Sequence, residues 1–162
     1  MAPTVAADAE WSECAALLRD DFASFAARAF RELNPRARLA MNWHVEVMTG
    51  ELVAVREGRI RRLMICVPPC HLKSHLASVC FPAWCLGHDP SAQIVCASYA
   101  QDLADKLSRD CRRIMMSERY RSCSRRRGCR RGIRRWGADF IIIDDPLKPE
   151  EALSQAQRQA AN

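Results

Sequence analysis

The sequence predicts an α/β fold, a mostly parallel sheet flanked by helices and preceded by N-terminal helices. Three observations predict it. Short apolar runs at 60–67, 93–98 and 140–143 read as strands, and stretches of helical spacing separate them. The runs are nearly continuous in apolar residues, as are strands covered on both faces. The first run leads through a short loop into Lys73-Ser74 and a helical pattern, and the third closes on Asp144-Asp145.

Each element has its own signal. Residues 8–33 carry Trp11, Cys14, Leu18, Phe22, Phe25, Ala29 and Leu33 near helical spacing, and Asn34-Pro35 stops that helix. A second helix is expected from about 42 to 56, with Trp43, Val47, Leu52 and Val55 available for burial and Gly58 as its C-terminal cap. Ile60 to Val67 reads as a strand. Ser74 to Leu86 resumes helical spacing, with Pro82 ending or kinking it. Gln93 to Ser98 is a short strand. Ala100 to Met116 is helical, with Leu103, Leu107, Cys111 and Ile114 on one face. Phe140 to Ile143 is the third strand, and Glu150 to Ala161 a last helix. No internal repeat interrupts this order.

Composition narrows the class. At 162 residues the chain is about one domain, and 49% hydrophobic with 27% charged residues is the balance of a soluble globular protein. No apolar run approaches the roughly 20 residues that span a bilayer. The first ten residues are acidic and alanine-rich, unlike a secretory signal. Nine cysteines without a CxxC pair then read as reduced, mostly buried thiols of a cytoplasmic protein, with no zinc-site spacing.

The net charge of +6 is concentrated. Arg121 to Arg135 holds eight arginines, among them Arg125, Arg126, Arg127, Arg130 and Arg131. Such a cluster binds nucleic-acid phosphates through counterion release without reading bases. A solvated loop explains the same composition, so both readings stay open.

Chemistry collects after two strands, where an open parallel sheet binds ligands. Lys73 would reach the β- and γ-phosphates of a nucleotide, and the Ser74 hydroxyl would ligate Mg²⁺. Asp144 would hold the metal and Asp145 would orient or deprotonate water, as in a Walker-B strand. Either motif alone is common by chance, and an Asp-Asp pair is also a turn or cap. In this order, with a strand between them, they are more specific. His71 stands inside the loop, where phosphate contact and simple exposure compete, and His75 is expected on a helix surface. Tyr99 follows the middle strand, facing a ligand or packing on the sheet edge.

Trp43-His44, the run from Arg62 to Ser74, Phe81 to Gly87, Ala97-Ser98-Tyr99 and Phe140 to Pro146 resemble the ATPase domain of phage terminase large subunits. The similarity extends to Leu103-Ala104, Ser108-Arg109-Asp110, Ser117 to Tyr120 and the tail from Asp145 to Arg158, so it covers about 40 to the end. The resemblance implies a P-loop NTPase-like fold of the ASCE type. It implies ATP and Mg²⁺ as cofactors and a nucleotide loop of Pro69, Cys70, His71, Leu72, Lys73, Ser74 and His75. It further implies duplex DNA, a portal protein and a small terminase subunit as partners, a homo-oligomeric ring, and the cytoplasm of a bacterial host. Trp43-His44 falls where the family places groups near the adenine. The chain then divides into an N-terminal helical segment, 1–40, and a partial P-loop ATPase domain, 41–162, with the nuclease domain absent.

The family loop typically reads Pro-Pro-Arg-His-Gly-Lys-Ser, so its missing first glycine is a family trait. Cys70 and Leu72 depart from it. A leucine held in the left-handed conformation that glycine adopts costs about 1–2 kcal/mol, and its side chain is expected near the phosphate space. Weak or absent hydrolysis follows as an expectation. Two alternatives accompany this reading, a degenerate prophage remnant without catalysis and a basic nucleic-acid-binding protein using the arginine cluster.

Overall fold

A computed structural model describes residues 5–124 and 137–146, with side chains from residue 13 onward. The expected Arg125–Arg131 cluster and the helix at 150–161 lie outside the described residues. The fold is mostly helical, with a small two-stranded parallel sheet.

The first predicted helix is two. Helix α1 (Val5–Asp20) and helix α2 (Phe22–Leu33) meet at Asp21, whose extended backbone and side chain cap the second. Its carboxylate accepts from the Ser24 amide at 2.8 Å and the Ala23 amide at 3.3 Å. Aspartate competes in this way for amides a helix start leaves unpaired, and the hydrophobic periodicity running through it hides the break. Phe22, Phe25, Ala26 and Ala29 form the buried stripe of α2.

Helix α3 (Trp43–Arg56) stands where expected but turns a different face inward. Val45, Met48, Thr49 and Leu52 are buried, while Trp43 is 76% exposed and Val47 is also exposed. Gly58, at φ +77°, closes the helix with the Gly58 amide on Val55 and the Arg59 amide on Ala54.

Ile60 to Val67 departs from the prediction. It is extended and alternates strictly, with Leu63, Ile65 and Val67 packed on the core and Met64 and Cys66 exposed, but it joins no ladder among the described residues. The period of two is a local property, whereas a strand also needs a neighbouring backbone, and here none is paired with it.

A π-helical segment, His75–Cys80, runs directly into helix α4 (Phe81–His88). The wider turn explains how the helix passes Pro82 unbroken. Proline lacks the amide an α-turn requires, and in the wide turn the Phe81 amide already reaches Leu76. Helix α4 is apolar on nearly all sides and lies in the core. Phe81 meets Phe22 edge-on at 6.0 Å and Phe140 at 5.4 Å; Trp84 meets Phe22 at 5.0 Å and donates to the Arg19 carbonyl at 3.1 Å.

Strand β1 (Ile94–Ser98) pairs in parallel with strand β2 (Phe140–Asp144), with Ile94 opposite Phe140 and Ser98 opposite Asp144. Helices α5 (Gln101–Met116) and α6 (Glu118–Cys123) make the crossover. Leu107 and Ile114 of α5 are buried, while Val95, Ile141 and Ile143 are more than half exposed. The parallel orientation agrees with the prediction; among the described residues the sheet has two strands rather than three. No helix among the described residues is long and apolar enough to cross a membrane.

Tyr120 ties α6 to α4, donating to the Ala83 carbonyl at 2.7 Å with its ring edge-on to Phe25. Tyr120→Phe should cost about 1 kcal/mol by removing that bond between α6 and α4. Urea unfolding will read it, and an unchanged midpoint would show the bond to contribute nothing.

Candidate phosphate-binding site

Two segments distant in sequence build the site. The loop Pro68 to Ser74 emerges from the extended segment and opens the π-helical turn, while Asp144 and Asp145 end β2. Inside the loop the His71 ring, with its Nδ1 protonated, donates toward the Pro68 and Pro69 carbonyls at 3.1 and 2.9 Å and folds the turn on itself. Cys70 and Leu72 take left-handed backbones at φ 66° and 64°, and Asp145 does so at φ 47°. All three non-glycine residues with positive φ among the described residues therefore lie in this site. Strain gathers where surrounding structure enforces a geometry.

Leu72 adopts the dihedral expected of the missing glycine. Its side chain, however, packs against the hydrophobic core instead of standing free in the loop. The Leu72 carbonyl accepts the Leu76 amide at 2.9 Å, which fixes the loop to the helix start. Ser74 makes no side-chain capping bond there.

Lys73 and Asp145, 72 residues apart in sequence, form a hydrogen-bonded ion pair. The ammonium also stands 3.6 Å from Asp144 Oδ1. Burial alone would lower the Lys73 pKa, but the Asp145 hydrogen bond and the two carboxylate charges outweigh it and raise the value. Asp144 is only 4% exposed and its Oδ2 has no hydrogen-bond partner. The Tyr99 amide donates to the Asp145 carbonyl at 3.2 Å, carrying the β1–β2 register past the strand ends.

His75 is turned inward rather than onto a helix surface. Its Nε2 lies 3.2 Å from Cys80 Sγ, its ring meets Phe30 edge-on at 5.3 Å, and burial lowers its pKa. Trp43, His44 and His71 form a row of rings beside the loop, with centroid spacings of 6.0 and 5.4 Å. Tyr99 is partly exposed at the strand end.

Of the residues singled out in the sequence, the structure brings Lys73, Asp144 and Asp145 together, and two features of the arrangement were not read there. Ser98 stands opposite Asp144 with a buried, unpartnered hydroxyl, and Asp145 binds the loop lysine directly. The first was readable only from the strand register.

Among the described residues no group of three or more His, Cys, Asp or Glu is placed to hold a metal ion. Mg²⁺ does not need one, because it is often held by one or two carboxylates with waters and substrate phosphates. The orphan Asp144 Oδ2 is an oxygen ligand of the kind such an ion takes.

The Lys73 pair and the buried thiols predict an alkaline transition. Burial raises Cys85 from 9.0 to about 12, with Arg56 opposing, and burial together with Cys96 raises Cys111 to about 11. For a raised group the stabilisation is complete below the unfolded pKa and is lost as pH climbs through the folded one. From pH 9.0 up to about 12 for Cys85, and up to about 11 for Cys111, the unfolded thiol is ionised while the folded one is not, so stability falls. Each thiol lowers it by up to about 1.4 kcal/mol per pH unit. Lys73 adds to the loss above its ordinary 10.5. Urea midpoints under reducing conditions from pH 8 upward will show the decline, and a flat profile would contradict it.

No family model, curated protein or solved structure matches this chain.

Proposed function

We propose that the loop Pro68–Ser74 and the end of β2 form an ATP·Mg²⁺ phosphate site of the terminase large-subunit kind, with weak hydrolysis. The observation that carries the reading is the bonding of Lys73 to Asp145 and its approach to Asp144. A lysine ending a phosphate loop and an acidic pair ending a parallel strand meet at one point only if the chain brings both motifs together. The inward Leu72 side chain supports it, since the backbone has the glycine-like dihedral while the leucine packs on the core.

In this reading Lys73 exchanges its carboxylate partner for phosphate oxygens, a charge-assisted contact of the same kind. Ser74 and Asp144 would hold Mg²⁺, which when bound supplies Lewis-acid neutralisation of phosphate charge. Asp145 is the candidate to orient water. Its bond to Lys73 keeps it from that task until the lysine is drawn away, which is a reason for slow turnover. Duplex DNA, the portal and small-subunit partners, the ring and a cytoplasmic location belong to the same proposal and rest on the sequence resemblance.

Titration calorimetry tests the site. ATP·Mg²⁺ should bind the wild-type chain and lose its affinity in a folded Lys73→Met variant. Absence of binding to both the folded wild type and Leu72→Gly would overturn the reading.

A further inference from the structure

A cavity of about 710 Å³ lies between α5, the π-helical segment, α4 and the sheet. No residue of the loop 68–74 lines it, and neither does Asp145. Its volume falls within the roughly 300–1,000 Å³ of small-molecule sites. Leu86, Ile94, Leu107 and Met115 make much of its wall. Three of the residues that line this half-open, mostly apolar cavity carry a buried polar atom without a partner, Ser78 Oγ, Ser98 Oγ and Asp144 Oδ2. Ser78 and Asp144 are 3% and 4% exposed. Buried oxygens without partners are costly, and a carboxylate oxygen more than a hydroxyl.

We infer that this cavity is a binding site for a small organic cation, an apolar body carrying an amine or amidine head. The head donates hydrogen bonds to Asp144 Oδ2 and the serine hydroxyls, while the body lies against the apolar wall. Charge selects the class. Asp105 and Arg112, both lining the cavity, offset each other, and Lys73, 3.6 Å from Asp144 Oδ1, is itself bonded to Asp145, so one lysine serves two carboxylates and the group keeps one net negative charge. An anionic ligand would add to that charge, and a neutral hydrocarbon would leave all three oxygens unpaired. The site shares Asp144 with the proposed metal site but no residue of the phosphate loop, so its test, run without ATP or Mg²⁺, can fail independently of the nucleotide reading.

Benzamidine is the probe, with neutral, nearly isosteric benzamide as control, titrated by saturation-transfer NMR without ATP or Mg²⁺. Benzamidine should bind at least about tenfold more tightly than benzamide, and Asp144→Asn should remove that preference. Ala104→Trp, which fills the cavity from α5, should abolish binding. Should that variant fail to fold, Ser98→Val, which removes one hydroxyl, must weaken benzamidine. No benzamidine binding to the folded wild type would overturn the assignment. Equal binding of the two probes, or binding undiminished in folded Ala104→Trp or in Ser98→Val, would overturn it as well.

Discussion

Replacing Lys73 with alanine is expected to destabilise the protein by about 3 kcal/mol, an effect large for a partly exposed side chain. The cost arises at Asp144. That carboxylate is 4% exposed, has one oxygen without a hydrogen bond, and has the Lys73 ammonium 3.6 Å from the other. Removing the lysine leaves a buried negative charge without an opposite one, a more expensive state than the pair or than no charge at all. The Asp145 contact contributes less, because its side chain is 47% exposed and water answers it. Asp144→Asn in the Lys73→Ala background should therefore recover most of the loss. Urea unfolding of the four proteins in this cycle measures the coupling. A double variant no more stable than Lys73→Ala would show that Asp144 is not the residue left stranded.

At Leu72 the usual ranking of substitutions is expected to invert. Alanine ordinarily outranks glycine in stability because glycine leaves more freedom to the unfolded chain. With φ at 64°, however, alanine keeps the left-handed strain and loses the leucine's contacts with the core. Glycine loses the same contacts and relieves the strain. Leu72→Gly should be more stable than Leu72→Ala by about 1 kcal/mol. Its affinity for ATP·Mg²⁺ should stay within about threefold of wild type, because the wild-type backbone already has the glycine-like dihedral and its side chain already packs on the core. Thermal melts and calorimetry read the two effects separately. Alanine equal to or above glycine in stability would mean that the loop relaxes out of the left-handed region.

Legibility in the sequence followed the range of each signal. Gly58 capping α3, the apolar face of α5, and β1 and β2 themselves were all readable, because cap chemistry and periodicity act within a few residues. The break at Asp21 was equally local but was masked by hydrophobic spacing that continues across it. Trp43 was misread for a different reason. Helical periodicity offers more than one apolar stripe on α3, and only the neighbours α2 and the π-helical segment select Val45, Met48 and Leu52. The extended segment at Leu63–Val67 shows the limit most clearly, since alternation was visible but pairing depends on a backbone elsewhere in the chain.

The candidate site divides along the same line. By itself the sequence determined the parts, an apolar run ending in Pro68-Pro69, the Lys73-Ser74 pair opening a helix, and a strand ending in Asp144-Asp145. Those are short patterns whose chemistry is carried by adjacent residues. Only the tertiary structure decided that Lys73 meets Asp145, that Leu72 turns its side chain into the core, and that Ser78, Ser98 and Asp144 share one cavity. Each of those results joins residues far apart in the chain. Burial, charge pairing and the strain of a left-handed leucine are set by what surrounds a residue in space.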